Sequence, residues 1–141
     1  NLKSMPTLHL EIVTPEARAY SDDVELVVLP AVEGEMGVYP QHIPLITQLK
    51  PGELIVTKDG KQIALAVGEG FVEVTAEKVS VLVDMALQES EIDEKAVEEA
   101  IARAEARLKE QHIGDEESAL VQATIAKSLA QLHVKRRRRN L

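Results

Sequence analysis

Cysteine is absent from this 141-residue chain, and so is tryptophan. The first absence removes thiol catalysis, disulfides and cysteine-ligated zinc together, and it fits a reducing compartment. Aromatic residues are reduced to Tyr20, Tyr39 and Phe71, too few for the stacking platforms that hold single-stranded nucleic acid. No apolar run approaches membrane-spanning length. Asn1 to Pro6 has neither an apolar signal core nor an arginine-rich transit character, and Met5 reads as the natural start behind a short leader. Positive charge is scarce as well: 16 basic residues stand against 24 acidic ones, a net charge of −8. An acidic body argues against sequence-independent nucleic-acid binding, whereas Lys135 through Arg139 form a basic island suited to an acidic partner surface.

Reactive constellations are missing too. His9, His42, His112 and His133 are scattered, with no pair at helical metal-ligand spacing. No serine lies in a Gly-x-Ser-x-Gly elbow, and Glu33 with Glu35 or Asp22 with Asp23 fall in expected turns, where solvated charge is the default. Gly68-Glu69-Gly70 lacks the spacing and following helix of a phosphate loop and reads as a bend between strands. His42, between prolines, reads as a histidine holding a loop through its ring nitrogens rather than a general base.

What the chain does have is two periodicities. Residues 7 to 84 alternate apolar and polar, as in Leu8, Leu10, Ile12 and Val72, Val74, with turn signals at short intervals: Thr14-Pro15, Ser21-Asp22-Asp23, Glu33-Gly34, Pro51-Gly52, Asp59-Gly60, Gly68-Glu69-Gly70 and Ala76-Glu77-Lys78. That pattern predicts an antiparallel β-sandwich or flattened barrel, with a hairpin at Asp59-Gly60. After Gln88 no proline occurs and the period becomes helical. Ser90 with Asp93 predicts a capping box. Val97, Ile101, Ala104 and Leu108 mark one helix, expected to end near His112 with Gly114 as its C-cap. Glu116 and Glu117 open a second, with Val121, Ile125, Leu129 and Leu132 in one stripe and Ala119, Ala123, Ala126 and Ala130 in another. The expected class is α+β: a sandwich over 5–88, an antiparallel two-helix hairpin over 89–134, and a basic tail over 135–141. Alanine stripes allow close approach but bury little apolar area, so the hairpin is expected to fit closely and detach readily.

The sharpest motif is Gly34-Glu35-Met36-Gly37-Val38-Tyr39-Pro40-Gln41-His42-Ile43-Pro44-Leu45, followed by Lys50-Pro51-Gly52. Its prolines and glycines fix backbone geometry and supply almost no chemistry, which suits a docking surface. Together with Gly68-Glu-Gly-Phe-Val-Glu-Val74, it resembles the ε subunit of bacterial F-type ATP synthase, equivalent to the mitochondrial δ subunit, over essentially Met5 to Val134.

The resemblance implies a non-catalytic central-stalk rotor subunit of a proton- or sodium-translocating enzyme. Its sandwich would sit on the γ subunit and the c-ring, peripheral to the cytoplasmic face of the bacterial inner membrane, with no homo-oligomer. Glu35 matches the position where the family meets the ring, and Tyr39 and His42 are the next candidates for ring or γ contacts. In that family the hairpin lies folded or extends into the catalytic α/β hexamer and blocks ATP hydrolysis. Lys135, Arg136, Arg137, Arg138 and Arg139 would then meet an acidic loop, with Arg103 and Arg107 adding cationic contacts. Some members bind ATP through Ile/Leu-Asp-x-x-Arg-Ala; here Ile92, Asp93 and Arg103 fit, but Ala96 replaces the motif arginine, so no cofactor is expected. The alternative of another class is a non-motor adaptor whose basic helical arm binds RNA or an acidic protein.

Overall fold

A computed structural model describes residues 6–139, with side chains over 6–137. Met5 and the side chains of Arg138 and Arg139 lie outside the described residues. Ten strands come first: β1 (Leu8–Val13), β2 (Arg18–Val24), β3 (Leu26–Ala31), β4 (Gly34–Val38), β5 (Leu45–Leu49), β6 (Gly52–Lys58), β7 (Lys61–Val67), β8 (Gly70–Val74), β9 (Lys78–Val83) and β10 (Ala86–Gln88). A 3-10 turn (Glu89–Glu91) leads into α1 (Glu94–Leu108) and α2 (Asp115–Arg139). A β-rich N-terminal body followed by a helical hairpin is the α+β class that the two periodicities predict.

The strands hydrogen-bond in the order β10-β7-β6-β3-β5-β8-β9-β1-β2, with β4 paired to β3 off this path. Inward-facing residues of both walls meet in one core, including Leu8, Leu10 and Ile12 of β1, Val27 and Leu29 of β3, Leu54 and Val56 of β6, and Val72 and Val74 of β8. The period-2 alternation therefore marks the walls of a sheet folded onto itself. One pair departs from the antiparallel expectation: β1 and β9 run parallel, His9 opposite Lys78 and Val13 opposite Leu82. These strands are distant in sequence, so no hairpin turn dictates their direction.

Asp59 and Gly60 have φ of 51° and 75°, and Lys58 lies opposite Lys61. Positive φ at both turn residues matches the right-handed twist of the flanking strands. Ser21-Asp22-Asp23, expected as a turn, instead lies within β2, opposite Glu11, Leu10 and His9. Partners remote in sequence overrode the local turn preference: Asp22 pairs with Lys58, and Asp23 accepts a 2.9 Å hydrogen bond from His9 Nδ1.

The helix boundaries differ from the pattern in instructive ways. Ser90 falls in the 3-10 turn, and the Gln88 N–H donates to the Glu91 carboxylate at 2.9 Å. Asp93 alone caps α1, accepting from the Ala96 N–H at 3.1 Å. α1 ends at Leu108, short of His112. Gly114, expected as its C-cap, instead accepts from the Ser118 N–H at 2.9 Å and so opens α2. α2 continues through Arg139, so residues 135–139 are helical turns rather than a separate tail. Leu129, placed in the apolar stripe, is 53% exposed, and Ser128 is buried instead. Positions 121, 125, 128 and 132 share a helical face at spacings of 4, 3 and 4.

The hairpin packs on the outer face of β6 and β7. Ala64, Ala66, Ile92, Val97, Leu132 and Val134 form its buried cluster, flanked by Met85, Leu87 and Ile101. Ala64 and Ala66 lie opposite Ile55 and Glu53, and their short side chains admit α2 close to the sheet. At the β7–β8 bend the Gly68 N–H donates to the Met85 carbonyl at 2.9 Å. A methyl group on Gly68 would fall 1.9 Å from Asp84 Oδ1 and 3.1 Å from Lys127 Cδ of α2.

Candidate interaction site

The stretch from Gly34 to Gly52 is divided by a strand. β4 places Gly34 and Glu35 beside the turn after β3, where Ala31 opposes Gly34 and Pro30 opposes Glu35. Lys50 returns to this end, its N–H donating to the Pro30 carbonyl at 2.9 Å. Tyr39 and His42 follow the other end of β4, so Tyr39 lies roughly 13 Å along the strand from Glu35. The structure therefore brings Tyr39 and His42 together but separates them from Glu35. The motif thus forms two tips at opposite ends of the sandwich where its sequence suggested one surface.

Backbone geometry at the Tyr39 end is tightly specified. Gln41 adopts φ of 66°, and its N–H donates to the Ala76 carbonyl at 2.8 Å, tying this turn to the one between β8 and β9. His42 Nδ1 donates to the Ile43 carbonyl at 2.7 Å, a loop-holding role. Tyr39 and Ile43 are 63% and 78% exposed. Beyond them, Ile46 of β5, Phe71 of β8 and Leu82 of β9 also point outward. Phe71 lies opposite Leu82, and Leu82 opposite Val13, giving an apolar row on the wall that the helices leave uncovered. The alternation carried this signal, because outward positions of β5, β8 and β9 hold Ile, Phe and Leu where polar residues are expected.

Cations of the hairpin are engaged within the chain. Arg107 Nε donates to Glu117 Oε1 at 2.6 Å and also meets Glu110, joining α1 to the start of α2. The hydrogen bond to Glu117 is the main cause that raises its pKa further. Arg136 reaches Glu94 at 2.8 Å and Glu98 at 3.1 Å, and the Glu94 contact chiefly raises its pKa. These contacts join the C-terminal end of α2 to the start of α1, so the helices are antiparallel. Lys135 pairs with Glu89 at 3.1 Å, and Arg137 pairs with Glu53. Arg103 is exposed on α1.

The nucleotide-motif positions are spread along the start of the hairpin. Ile92 is buried in the cluster beneath the helices, and the Asp93 carboxylate is occupied as the α1 cap. Arg103 lies ten residues further on, about 15 Å along the axis. Among the described residues no group of three or more His, Asp or Glu side chains could hold a metal ion.

One constellation escaped the sequence reading because its members come from two strands. Ser21 Oγ is 3.3 Å from His9 Nε2, and His9 Nδ1 is 2.9 Å from Asp23 Oδ1. The order matches a serine–histidine–aspartate relay, yet the His9 and Asp23 side chains are 40% and 69% exposed, so these contacts chiefly tie β1 to β2. Nearby, Asp22 has its pKa lowered by the hydrogen bond from Lys58 and then by the Asp23 N–H. Burial, followed by the charge of Asp22, raises that of Tyr20.

Residues 7–89 match the family described as ATP synthase, Delta/Epsilon chain, beta-sandwich domain. The chain is 40% identical over 130 residues to the ATP synthase epsilon chain of Laribacter hongkongensis, covering 91% of this chain and 92% of that one. It is 41% identical over 130 residues to that of Halorhodospira halophila, with the same coverage of 91% and 92%. A chain of the Euglena gracilis mitochondrial ATP synthase, solved with OSCP, F1 and c-ring, shares the fold with a TM-score of 0.75 at 23% identity, over 90% of this chain and 79% of that one. No helix among the described residues is long and apolar enough to cross a membrane. The match over residues 7–89 and the relatives at about 40% identity across more than nine-tenths of both chains show the family: the chain belongs to the ATP synthase epsilon-chain family, as a non-catalytic subunit.

Proposed function

We propose that this subunit is a coupling and regulatory part of the rotor, seated between the γ subunit and the c-ring on the cytoplasmic face of a bacterial inner membrane. The observation that carries the reading is the division of labour over the sandwich surface. The helices cover the outer face of β6 and β7, whereas Ile46, Phe71 and Leu82 remain exposed on the other wall. That uncovered apolar row is the γ-facing surface, extended by Tyr39 and Ile43; Glu35 and the adjacent turn meet the polar loops of the ring. The sandwich then links two partners and transmits torque without chemistry.

The hairpin regulates hydrolysis by leaving this folded position and extending into the catalytic α/β hexamer, where Arg103 and the cations of α2 face acidic side chains. Its small buried cluster makes departure inexpensive. Without the motif arginine at 96, the folded hairpin takes no tightly bound ATP. The test is co-purification with γ of the parent and of Phe71→Ser with Leu82→Ser. The reading expects a stable parent complex, at least about tenfold weakened in the double variant. Unchanged γ binding would overturn the assignment of this face, and calorimetry showing micromolar ATP affinity would overturn the nucleotide claim.

A further inference from the structure

Glu53 lies beneath α2 on the sandwich wall, and its side chain is only 9% exposed. Its Oε1 accepts from Arg137 and lies 3.7 Å from His133 Nε2. Its buried Oε2 has no hydrogen-bond partner among the described residues. Desolvating a carboxylate in this way opposes docking of the helix, and a cation on the other oxygen offsets that cost.

The neighbouring cations do different work. Arg136 bonds Glu94 and Glu98 of α1, inside the hairpin. Lys135 bonds Glu89 in the turn that links hairpin to sandwich. Arg137 reaches β6 itself, and Lys127 reaches Asp84 at 3.5 Å beside Gly68. A basic run that looks uniform in sequence thus contains one member fastened to the wall and one that stays with the hairpin.

We propose that the Arg137–Glu53 pair is a clasp that holds the hairpin in its folded position until α2 lifts. When the hairpin leaves, Glu53 regains water and Arg137 loses its carboxylate partner in the same event. The compact state is poised, since the carboxylate that anchors it also carries an unpartnered buried oxygen. This proposal rests on the reading of the hairpin as a mobile regulatory element, and its experiment separates the two.

The absence of native cysteine allows spin labels at Lys61→Cys and Gln122→Cys in the full chain. Label distances are measured by electron paramagnetic resonance in the parent, Arg137→Gln, Glu53→Gln and the double variant. Arg137→Gln leaves the buried carboxylate without its cation and should raise the long-distance population roughly fivefold. Glu53→Gln alone removes the desolvation cost together with the attraction and should change it less than about twofold. Combining the two substitutions should return the distribution close to the parent's. Added potassium chloride should open the parent more than the double variant, which among the described residues keeps only the Lys127–Asp84 pair between hairpin and sandwich.

An unchanged distribution in Arg137→Gln, or a double variant as open as Arg137→Gln alone, overturns the clasp. ATP hydrolysis by the assembled enzyme carrying each variant then tests the regulatory reading. Distances that shift while hydrolysis stays constant leave the clasp standing and overturn inhibition by the hairpin. Distances that stay fixed overturn the clasp whatever hydrolysis does.

Discussion

Inside the sandwich, Leu10, Ile12, Leu29, Leu49, Leu54 and Leu65 are sealed from solvent, whereas the cluster beneath the helices is Ala64, Ala66, Ile92, Val97, Leu132 and Val134. Valine is common in both, but the sandwich cluster buries eighteen apolar residues with a single alanine, whereas the cluster beneath the helices buries six, two of them alanine. Burying a methyl group removes far less apolar surface from water than burying an isobutyl group. Polar contacts are also distributed differently, because the hairpin reaches the sandwich through Lys127–Asp84 and Arg137–Glu53. A core of that kind holds a body together, while an interface of this kind holds two bodies in contact only as long as nothing better competes. The difference fits the proposed division into a torque-carrying half and a switching half.

Truncating one residue on each side gives the largest contrast. Leu10→Ala should destabilise the sandwich by about 2–5 kcal/mol through lost burial and the cavity left behind. Urea unfolding followed by circular dichroism should show strands and helices lost together at a lower midpoint. Leu132→Ala should leave the strand transition near the parent's and detach the helices first. Equal lowering of the strand transition by both changes would break the comparison. Next in size is Ala66→Leu, where overpacking costs about 1–3 kcal/mol at the interface. Hydrogen exchange should report faster exchange throughout α1 and α2 with the amides of β8 and β9 unchanged; acceleration in those strands would mean the interface and core are one unit.

Much of this organisation was legible in the chain. Alternation gave the walls of the sandwich, Asp59-Gly60 gave a hairpin, and Val97 with Ile101 gave the inward face of α1. What escaped was set by partners remote in sequence. Ser21-Asp22-Asp23 has the composition of a turn, and only Lys58 and His9, brought from β6 and β1, make it a strand. Ala64 and Ala66 look unremarkable until two helices lie over them, and Glu53 looks like any surface carboxylate until Arg137 arrives. The docking motif was recognisable, yet its division by β4 into separate tips depends on strand pairing that the motif does not encode. Leu129 was misplaced because a helix with two covered flanks buries a different set from a helix with one.

Asp93 sharpens the comparison at the joint between the halves. Its side chain accepts from the Ala96 N–H at 3.1 Å, so Asp93→Ala should cost α1 about 1 kcal/mol. Exchange at the amides of the first turn of α1 should accelerate by roughly fivefold, while the sandwich midpoint stays where it was. A cap whose loss propagated into β10 would show the hinge to be part of the sandwich rather than of the hairpin.

The smallest effect belongs to the sandwich's own cross-strand ion pair, Asp22 on β2 with Lys58 on β6. The hydrogen bond from Lys58 holds the Asp22 carboxyl below its ordinary value of 3.8, and the same contact raises the ammonium above its ordinary 10.5. A depressed carboxyl contributes stability above its unfolded pKa and loses it as the pH falls through the folded one. A raised ammonium contributes stability below its unfolded pKa and loses it as the pH rises through the folded one. Asp22→Asn should therefore lower the melting temperature slightly on a plateau between these limits, with the gap to the parent closing as the pH falls below 3.8 and again as it rises above 10.5. Strand amides should keep their protection throughout, because Val24, Ile12 and Leu54 still seal the core beneath the pair. Here the comparison meets its sharpest test: removing a carboxylate–cation pair should move a temperature in the sandwich and a conformation in the hairpin. An Asp22→Asn chain that opened the walls would place both pairs in one class and remove the distinction between core and clasp.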